Sequence, residues 1–102
     1  MQLIKSDLGQ FIRELRKERH LTLHQVAVGV DFDSPMLSKI ERGERLATID
    51  QAKRLASFFK IDENDLLIKL TAERIIKDYG ANDVTLNAVV MVQEQIVNYN
   101  KK

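Results

Sequence analysis

Apolar residues recur at intervals of three and four along almost the whole sequence, and residues that break helices are rare. The 102 residues include four glycines and one proline, and Leu, Ile, Ala, Glu, Lys and Arg predominate between them. An interval of three or four places apolar side chains on one face of an α-helix, whereas a half-buried strand needs an interval of two. The pattern therefore predicts an all-α protein, with a length typical of one compact domain.

Capping residues and breaks divide the chain into six predicted helices. They begin after Ser6 or Asp7, after Thr22, after Asp33, after Thr48 and after Asp62, and the sixth runs from Asp83 to Tyr99. Gln25 lies three residues after Thr22, which is the spacing of a capping box. The apolar positions of the first five helices predict a core made of Leu8, Phe11, Ile12, Leu15, Val26, Ala27, Leu37, Ile40, Ile49, Ala52, Leu55, Ala56, Phe59, Leu66, Leu67 and Leu70.

The second and third predicted helices are short, and a turn of three or four residues separates them. A basic first helix precedes them, which gives the outline of a helix-turn-helix. Ala27 lies where the two short helices approach closely and a small side chain is needed. Asp31 occupies the turn position that usually requires glycine, and Asp is one of the few other residues that tolerate a positive φ.

The residues at these positions match a known pattern. They are Leu8-Gly9, Ile12-Arg13, Leu15-Arg16-Lys17, Leu21-Thr22, Val26-Ala27, Leu37-Ser38-Lys39-Ile40-Glu41-Arg42-Gly43, Leu55-Ala56 and Ile61-Asp62-Glu63-Asn64-Asp65-Leu66-Leu67. Over residues 6–70 the sequence resembles the lambda-repressor-like, Cro-type (XRE-like) helix-turn-helix transcriptional regulators. The resemblance implies a five-helix DNA-binding fold, and Glu41 is expected to be a structural partner of Arg13 or Arg16.

The resemblance also implies a homodimer that binds a palindromic operator and lays its third helix in the major groove. Lys39 would donate to guanine, Ser34 to a base or a phosphate, and Pro35 and Met36 would contact thymine methyl groups. Backbone N–H groups near Thr22, Leu23 and Gln25 would hold a phosphate, as would the loop after the third helix. The implied DNA-binding residues are Thr22, Gln25, Ser34, Pro35, Met36, Ser38, Lys39, Arg42, Gly43 and Arg45.

The sixth predicted helix differs from the others because Asp83 and Glu94 are its only ionised residues. Such a helix is not expected to be solvated on every side. Its apolar residues either complete the core of the chain or form a dimer seam, and we favour the seam because five helices already complete the implied fold. We therefore predict a DNA-binding domain over residues 1–70 and a dimerisation extension over 71–102. The predicted dimer contacts are Leu86, Val89, Val92, Ile96 and Tyr99.

Composition limits the other functions that this chain could have. Cysteine is absent, and the capping residue Thr22 interrupts the helix between His20 and His24, so we expect no metal site and no cofactor. No grouping of nucleophile, base or paired acids indicates an enzyme. No segment has the length of a membrane span and the N-terminus does not resemble a signal peptide, which predicts a cytoplasmic protein.

The formal net charge of +1 hides an uneven distribution. Residues 1–60 carry 11 basic and 8 acidic side chains, whereas residues 61–102 carry 5 and 7. Within the implied family, a restriction-modification controller-like or phage-type repressor is the favoured function. The near-neutral charge, Leu23 and the apolar Pro35-Met36 pair support an alternative: a protein-interaction module, such as an antitoxin-like partner, that does not bind DNA.

Overall fold

The computed structural model of the chain describes residues 7–101, and in that part of the chain all regular structure is helical. The six helices are α1 Leu8–Glu18, α2 Leu23–Val30, α3 Ser34–Glu41, α4 Ile49–Phe59, α5 Glu63–Tyr79 and α6 Asp83–Asn100. The predicted all-α class is confirmed. Ser6, the other predicted cap of the first helix, lies outside the described residues.

Side-chain caps fix where these helices begin. Asp7 accepts a hydrogen bond from the Gln10 N–H at α1, and Asp33 accepts one from the Met36 N–H at α3, each at 2.7 Å. The predicted capping box at α2 is present, and α4 begins with a second one that joins Thr48 to Gln51. Because each cap satisfies N–H groups that have no partner inside the helix, these short helices have sharp N-termini.

The first five helices surround one apolar core. Helix α1 packs against α3 and α5, α2 packs against α3 and α4, and α4 packs against α5. The buried apolar side chains are Leu8, Ile12, Val26, Ala27, Val30, Leu37, Ile40, Ala47, Ala52, Leu55, Ala56, Phe59, Leu66 and Leu70. The prediction that Ile49 belongs to this core is wrong, because Ile49 is the first residue of α4 and is 60% exposed.

Helices α1 and α3 approach each other closely at Gly9. A Cβ atom at this position would overlap the carbonyl oxygen of Ile40 and lie 2.9 Å from that of Glu41. Both obstacles are backbone atoms at the end of α3, which cannot rotate away as a side chain can. Gly9 is therefore required by the spacing between the two helices.

We expect Gly9→Ala to lower the free energy of unfolding by about 1–3 kcal/mol, because the two helices must separate to admit the methyl group. This loss outweighs the gain of up to about 1 kcal/mol that alanine brings to a helix interior. Arg13→Ala, at an exposed position of the same helix, is the control and should change stability by no more than about 0.5 kcal/mol. Urea denaturation of the three proteins measures both effects.

The C-terminal part of the chain is joined to the core by α5. The carboxylate of Glu73 in α5 accepts a hydrogen bond of 2.7 Å from the Leu8 N–H at the start of α1. Burial raises the pKa of Glu73 above its ordinary value, and this hydrogen bond partly opposes the rise. Gly80 ends α5 with a φ of 90°, and the chain then turns into α6.

Helix α6 contacts α5 but contributes no apolar side chain to the core. Its one buried residue is Thr85, whose hydroxyl donates to the Tyr79 carbonyl oxygen at 3.1 Å. Apolar side chains along the rest of α6 are between 42% and 79% exposed. Over the described residues, no helix combines the length and the apolar character that crossing a membrane requires.

Candidate nucleic-acid interface

The turn between α2 and α3 depends on a left-handed residue. Asp31 has φ 60° and ψ 45°, as its position in the sequence predicted. The guanidinium of Arg54 in α4 reaches back and donates to the carbonyl oxygens of Val30 and Asp31, at 3.4 and 3.3 Å. The Arg54 side chain is 44% exposed and also pairs with Asp50. Arg54 therefore holds the turn against α4.

The capping box determines which groups at the N-terminus of α2 can bind a ligand. Gln25 N–H donates to the Thr22 hydroxyl at 3.1 Å, and Thr22 N–H donates to the Gln25 side-chain oxygen at 2.7 Å. Both backbone N–H groups are therefore used inside the protein. The N–H groups of Leu23 and His24, in the first turn of α2, have no acceptor within the helix. They are therefore the backbone donors that this end of α2 leaves available for a ligand.

Helix α3 divides into a buried and a solvent-facing side. Leu37 and Ile40 are buried in the core, and Met36 is partly buried against it. Pro35 and Lys39 are exposed, whereas Ser34 and Ser38 are half-buried. The residues predicted to face DNA thus include a cation, two hydroxyls and two apolar side chains, all within one eight-residue helix.

The loop after α3 supplies two more cations. Gly43 adopts φ 74°, and an added Cβ atom would meet nothing within 4 Å, so the backbone conformation alone favours glycine here. Arg42 forms an exposed ion pair with Glu44, with 2.6 Å between Nε and the carboxylate. Arg45 is exposed and, like Lys39, forms no ion pair with another described residue.

A buried ion pair joins α1 to the end of α3. The Arg16 guanidinium donates from two nitrogens to both carboxylate oxygens of Glu41, at 2.8 and 3.0 Å, and from a third to the Leu21 carbonyl oxygen at 3.1 Å. The two side chains are 15% and 5% exposed. The hydrogen bonds to Glu41 raise the pKa of Arg16 above its ordinary value. Of the two partners expected for Glu41, the structure selects Arg16.

Arg19 and His20 follow the last residue of α1. Arg19 donates to the Phe59 carbonyl oxygen at 2.7 Å, and its guanidinium carbon lies 5.2 Å from the centre of the Phe59 ring. No sequence motif signals this contact, because it joins residues 40 positions apart. His20, two residues after the end of α1, has φ 57°. The described residues contain no group of three or more His, Asp or Glu side chains suited to a metal ion.

Comparison with known proteins agrees with this geometry. A family model described as helix-turn-helix matches residues 12–66, which is more than half of the chain. The chain belongs to the Cro-like, XRE-type helix-turn-helix family. The match includes α2, the Asp31 turn, α3 and the loop that follows it. This family is not a class of enzymes.

Three relatives indicate where the similarity lies. The chain is 42% identical over 66 residues to the HTH-type transcriptional regulator RghRB of Bacillus subtilis and 39% identical over 60 residues to the regulator DdrOP3 of Deinococcus deserti. These matches cover 61% and 59% of this chain but 45% and 46% of the relatives, so the aligned part is under half of each. The ImmF control region 10 kDa protein of Bacillus phage phi105 is 30% identical over 73 residues, which cover 72% of this chain and 79% of that protein.

The left-handed conformation of Asp31 predicts opposite changes in stability for two substitutions at this position. Asp31→Gly should stabilise the fold by about 0.5–1 kcal/mol, because relief of a positive φ exceeds the entropic cost of glycine. Asp31→Ala should destabilise it by about 1 kcal/mol, because alanine has no local hydrogen bond that favours the left-handed region. Thermal denaturation of the three proteins would refute the role of the turn if both variants shifted the midpoint in the same direction.

Proposed function

We propose that this chain is a transcriptional regulator that binds a palindromic operator in double-stranded DNA as a homodimer. The observation that carries the proposal is the exposure of three cations on α3 and in the loop that follows it: Lys39, Arg42 and Arg45 are all solvent-exposed. The Arg16–Glu41 ion pair joins the end of this helix to α1. Relatives named HTH-type transcriptional regulators and a phage control-region protein support the same function.

Base recognition falls to the exposed side of α3. Lys39 is exposed and forms no ion pair with a described residue, so its ammonium group is available to donate to guanine O6 and N7 in the major groove. Ser34 can donate to a base or to a phosphate, and Ser38 lies beside Lys39. Pro35 and Met36 offer apolar contacts to thymine methyl groups.

Two segments that flank α3 in the sequence contact phosphates in this proposal: the start of α2 and the loop after α3. The Leu23 and His24 N–H groups at the start of α2 have no acceptor within the helix and can donate to a phosphate, with Thr22 and Gln25 holding the helix end in place. Arg42, Gly43 and Arg45 form the second contact after α3. Contacts of this kind set the position of a protein on DNA and carry little sequence information.

A palindromic site follows if two copies bind together. Half-sites then lie about one helical turn of DNA, ~34 Å, apart, because each α3 must enter the major groove on the same side of the duplex. In this proposal residues 1–70 form the DNA-binding domain in the cytoplasm, and residues 71–102 join the two copies. Similarity to a phage control-region protein favours a phage-type or controller-like repressor.

Two substitutions separate base recognition from phosphate binding. Lys39→Ala should weaken binding to a selected operator by about 1–3 kcal/mol and reduce discrimination at one base pair. Arg42→Ala should weaken binding to all DNA sequences alike. It should also reduce the slope of log affinity against log salt concentration by about 1, because one phosphate contact is lost. Mobility-shift titrations at several salt concentrations measure both effects.

Negligible DNA affinity in those titrations, together with a second protein that co-purifies at fixed stoichiometry, would contradict the proposal. That result would favour the protein-interaction module. If DNA is bound but neither substitution changes the affinity, the surface around α3 is not the DNA-binding face.

Removing the Arg42–Glu44 ion pair should tighten the binding of DNA. Glu44→Gln should increase affinity for operator and non-operator DNA alike, because Arg42 is released for phosphate contact and one acidic charge near the DNA is lost. Stability should change by less than about 1 kcal/mol, as for other exposed pairs. Glu63→Gln on α5 removes the same charge elsewhere and serves as the control. Equal affinity gains in both variants would exclude a specific role for the Arg42–Glu44 pair.

A further inference from the structure

Helix α1 carries two exposed cations that none of the DNA contacts proposed above uses. Arg13 and Lys17 are both exposed, and neither forms an ion pair with another described residue. Arg16, which lies between them in the sequence, is instead bound to Glu41. Residues four positions apart are neighbours on a helix surface. Arg13 and Lys17 therefore form one basic row along α1.

The basic row lies beside the contact between α1 and α3. Ile12 is fully buried and marks the side of α1 that faces the core. Gly9 and Arg16, which touch the end of α3, lie about 60° and 40° round the helix from Ile12. Arg13 and Lys17 come next in the same direction, about 100° and 140° from Ile12. They are therefore on the side of this contact that faces away from the core.

The end of α3 has the same order around its own axis. Ile40 is buried in the core, and Glu41 binds Arg16 of α1. Arg42 caps α3 in a helical conformation, about 200° round from Ile40. Because the core occupies one flank of the contact between the two helices, the other flank is open to solvent. Arg13 and Arg42 both belong to this open flank.

The acidic residues of α1 form a separate row. Glu14 and Glu18 lie about 200° and 240° round the helix from Ile12, which is farther from α3 than the basic row. Neither forms an ion pair with another described residue, and Glu14 accepts a hydrogen bond of 3.1 Å from the Gln10 side chain. The charges of α1 are thus sorted by sign, with the cations next to α3.

The basic row also extends toward the start of α2. The Lys17 carbonyl oxygen accepts a hydrogen bond of 3.0 Å from the His20 N–H, and Arg16 donates to the Leu21 carbonyl oxygen at 3.1 Å. These bonds hold the end of α1 against the segment that leads into Thr22, the cap of α2. The row therefore runs from the end of α3 toward α2, between the two segments proposed to bind phosphates.

We propose that Arg13 and Lys17 bind phosphates of the DNA backbone, so that α1 adds a third region of phosphate contact to the start of α2 and the loop after α3. This inference rests on the proposed function and enlarges its DNA-binding surface. Contacts to phosphates carry little sequence information, so this surface strengthens binding to operator and non-operator DNA alike.

Titrations at several salt concentrations test the basic row. Arg13→Gln and Lys17→Gln should each lower the affinity for operator and non-operator DNA about five- to tenfold at 0.1 M salt. Each should also reduce the slope of log affinity against log salt concentration by about 1, because one phosphate contact is lost. Arg13→Lys keeps the charge and should keep the slope. Lys101→Gln, at an exposed position after α6, is the matched control and should leave the slope unchanged.

The outcomes separate this inference from the proposed function. Losses of affinity in Arg13→Gln and Lys17→Gln no greater than in Lys101→Gln, with Arg42→Ala still weakening the complex, would overturn the α1 surface alone. Negligible DNA affinity of the natural chain would overturn both proposals. Circular dichroism of each variant checks that a loss of affinity is not a loss of helical structure.

A chemical label gives a direct measurement of position. The natural chain contains no cysteine, so Arg13→Cys accepts a single iron-chelate label that cuts the DNA backbone close to it. At protein concentrations that saturate the operator, a label at position 13 should cut the DNA at discrete sites, whereas a label on Lys101→Cys should not. Saturated operator that is left uncut by the label at position 13 would overturn the proposed contact.

Discussion

The buried ion pair between Arg16 and Glu41 fixes the position of the helix-turn-helix relative to α1. It joins the last turn of α1 to the last residue of α3, and its third hydrogen bond holds the Leu21 carbonyl just before α2. Three segments therefore meet at one guanidinium. Gly9 also allows α1 to pack against the end of α3. The position of α3 is therefore set both by the hydrogen bonds of Arg16 and by close backbone packing. The outer surface of α3 is left free of any such structural role.

The chain separates two kinds of surface. Apolar burial is confined to side chains between Leu8 and Leu70, and the exposed cations proposed to contact DNA lie on α1, on α3 and in the loop that follows it. Helix α6 has the opposite character, with few charges and many half-exposed apolar side chains. A net charge of +1 is consistent with this arrangement, because DNA affinity would come from a few cations in each of two joined copies.

The sequence predicted the helices and caps well because those features depend on local spacing. The Thr22 capping box, the Asp33 cap and the left-handed Asp31 are all confirmed. Contacts between distant residues were harder to predict: the bond from Arg19 to Phe59 and the reach of Arg54 to the turn have no local signal. Ile49 fits the periodic pattern of α4 but lies at its exposed first position. The DNA contacts and the dimer remain predictions, since each depends on a second molecule.

A double-mutant cycle on the free energy of unfolding tests the central role of the Arg16–Glu41 ion pair most directly. Arg16→Met should cost about 3–5 kcal/mol, because it leaves the buried Glu41 carboxylate without its partner. Glu41→Leu should cost less, because the remaining Arg16 side chain is 15% exposed and keeps its hydrogen bond to Leu21. The double variant should lose far less than the sum, since both buried charges are then gone. Losses that add to within about 0.5 kcal/mol would show that the two side chains act independently, and would contradict the account.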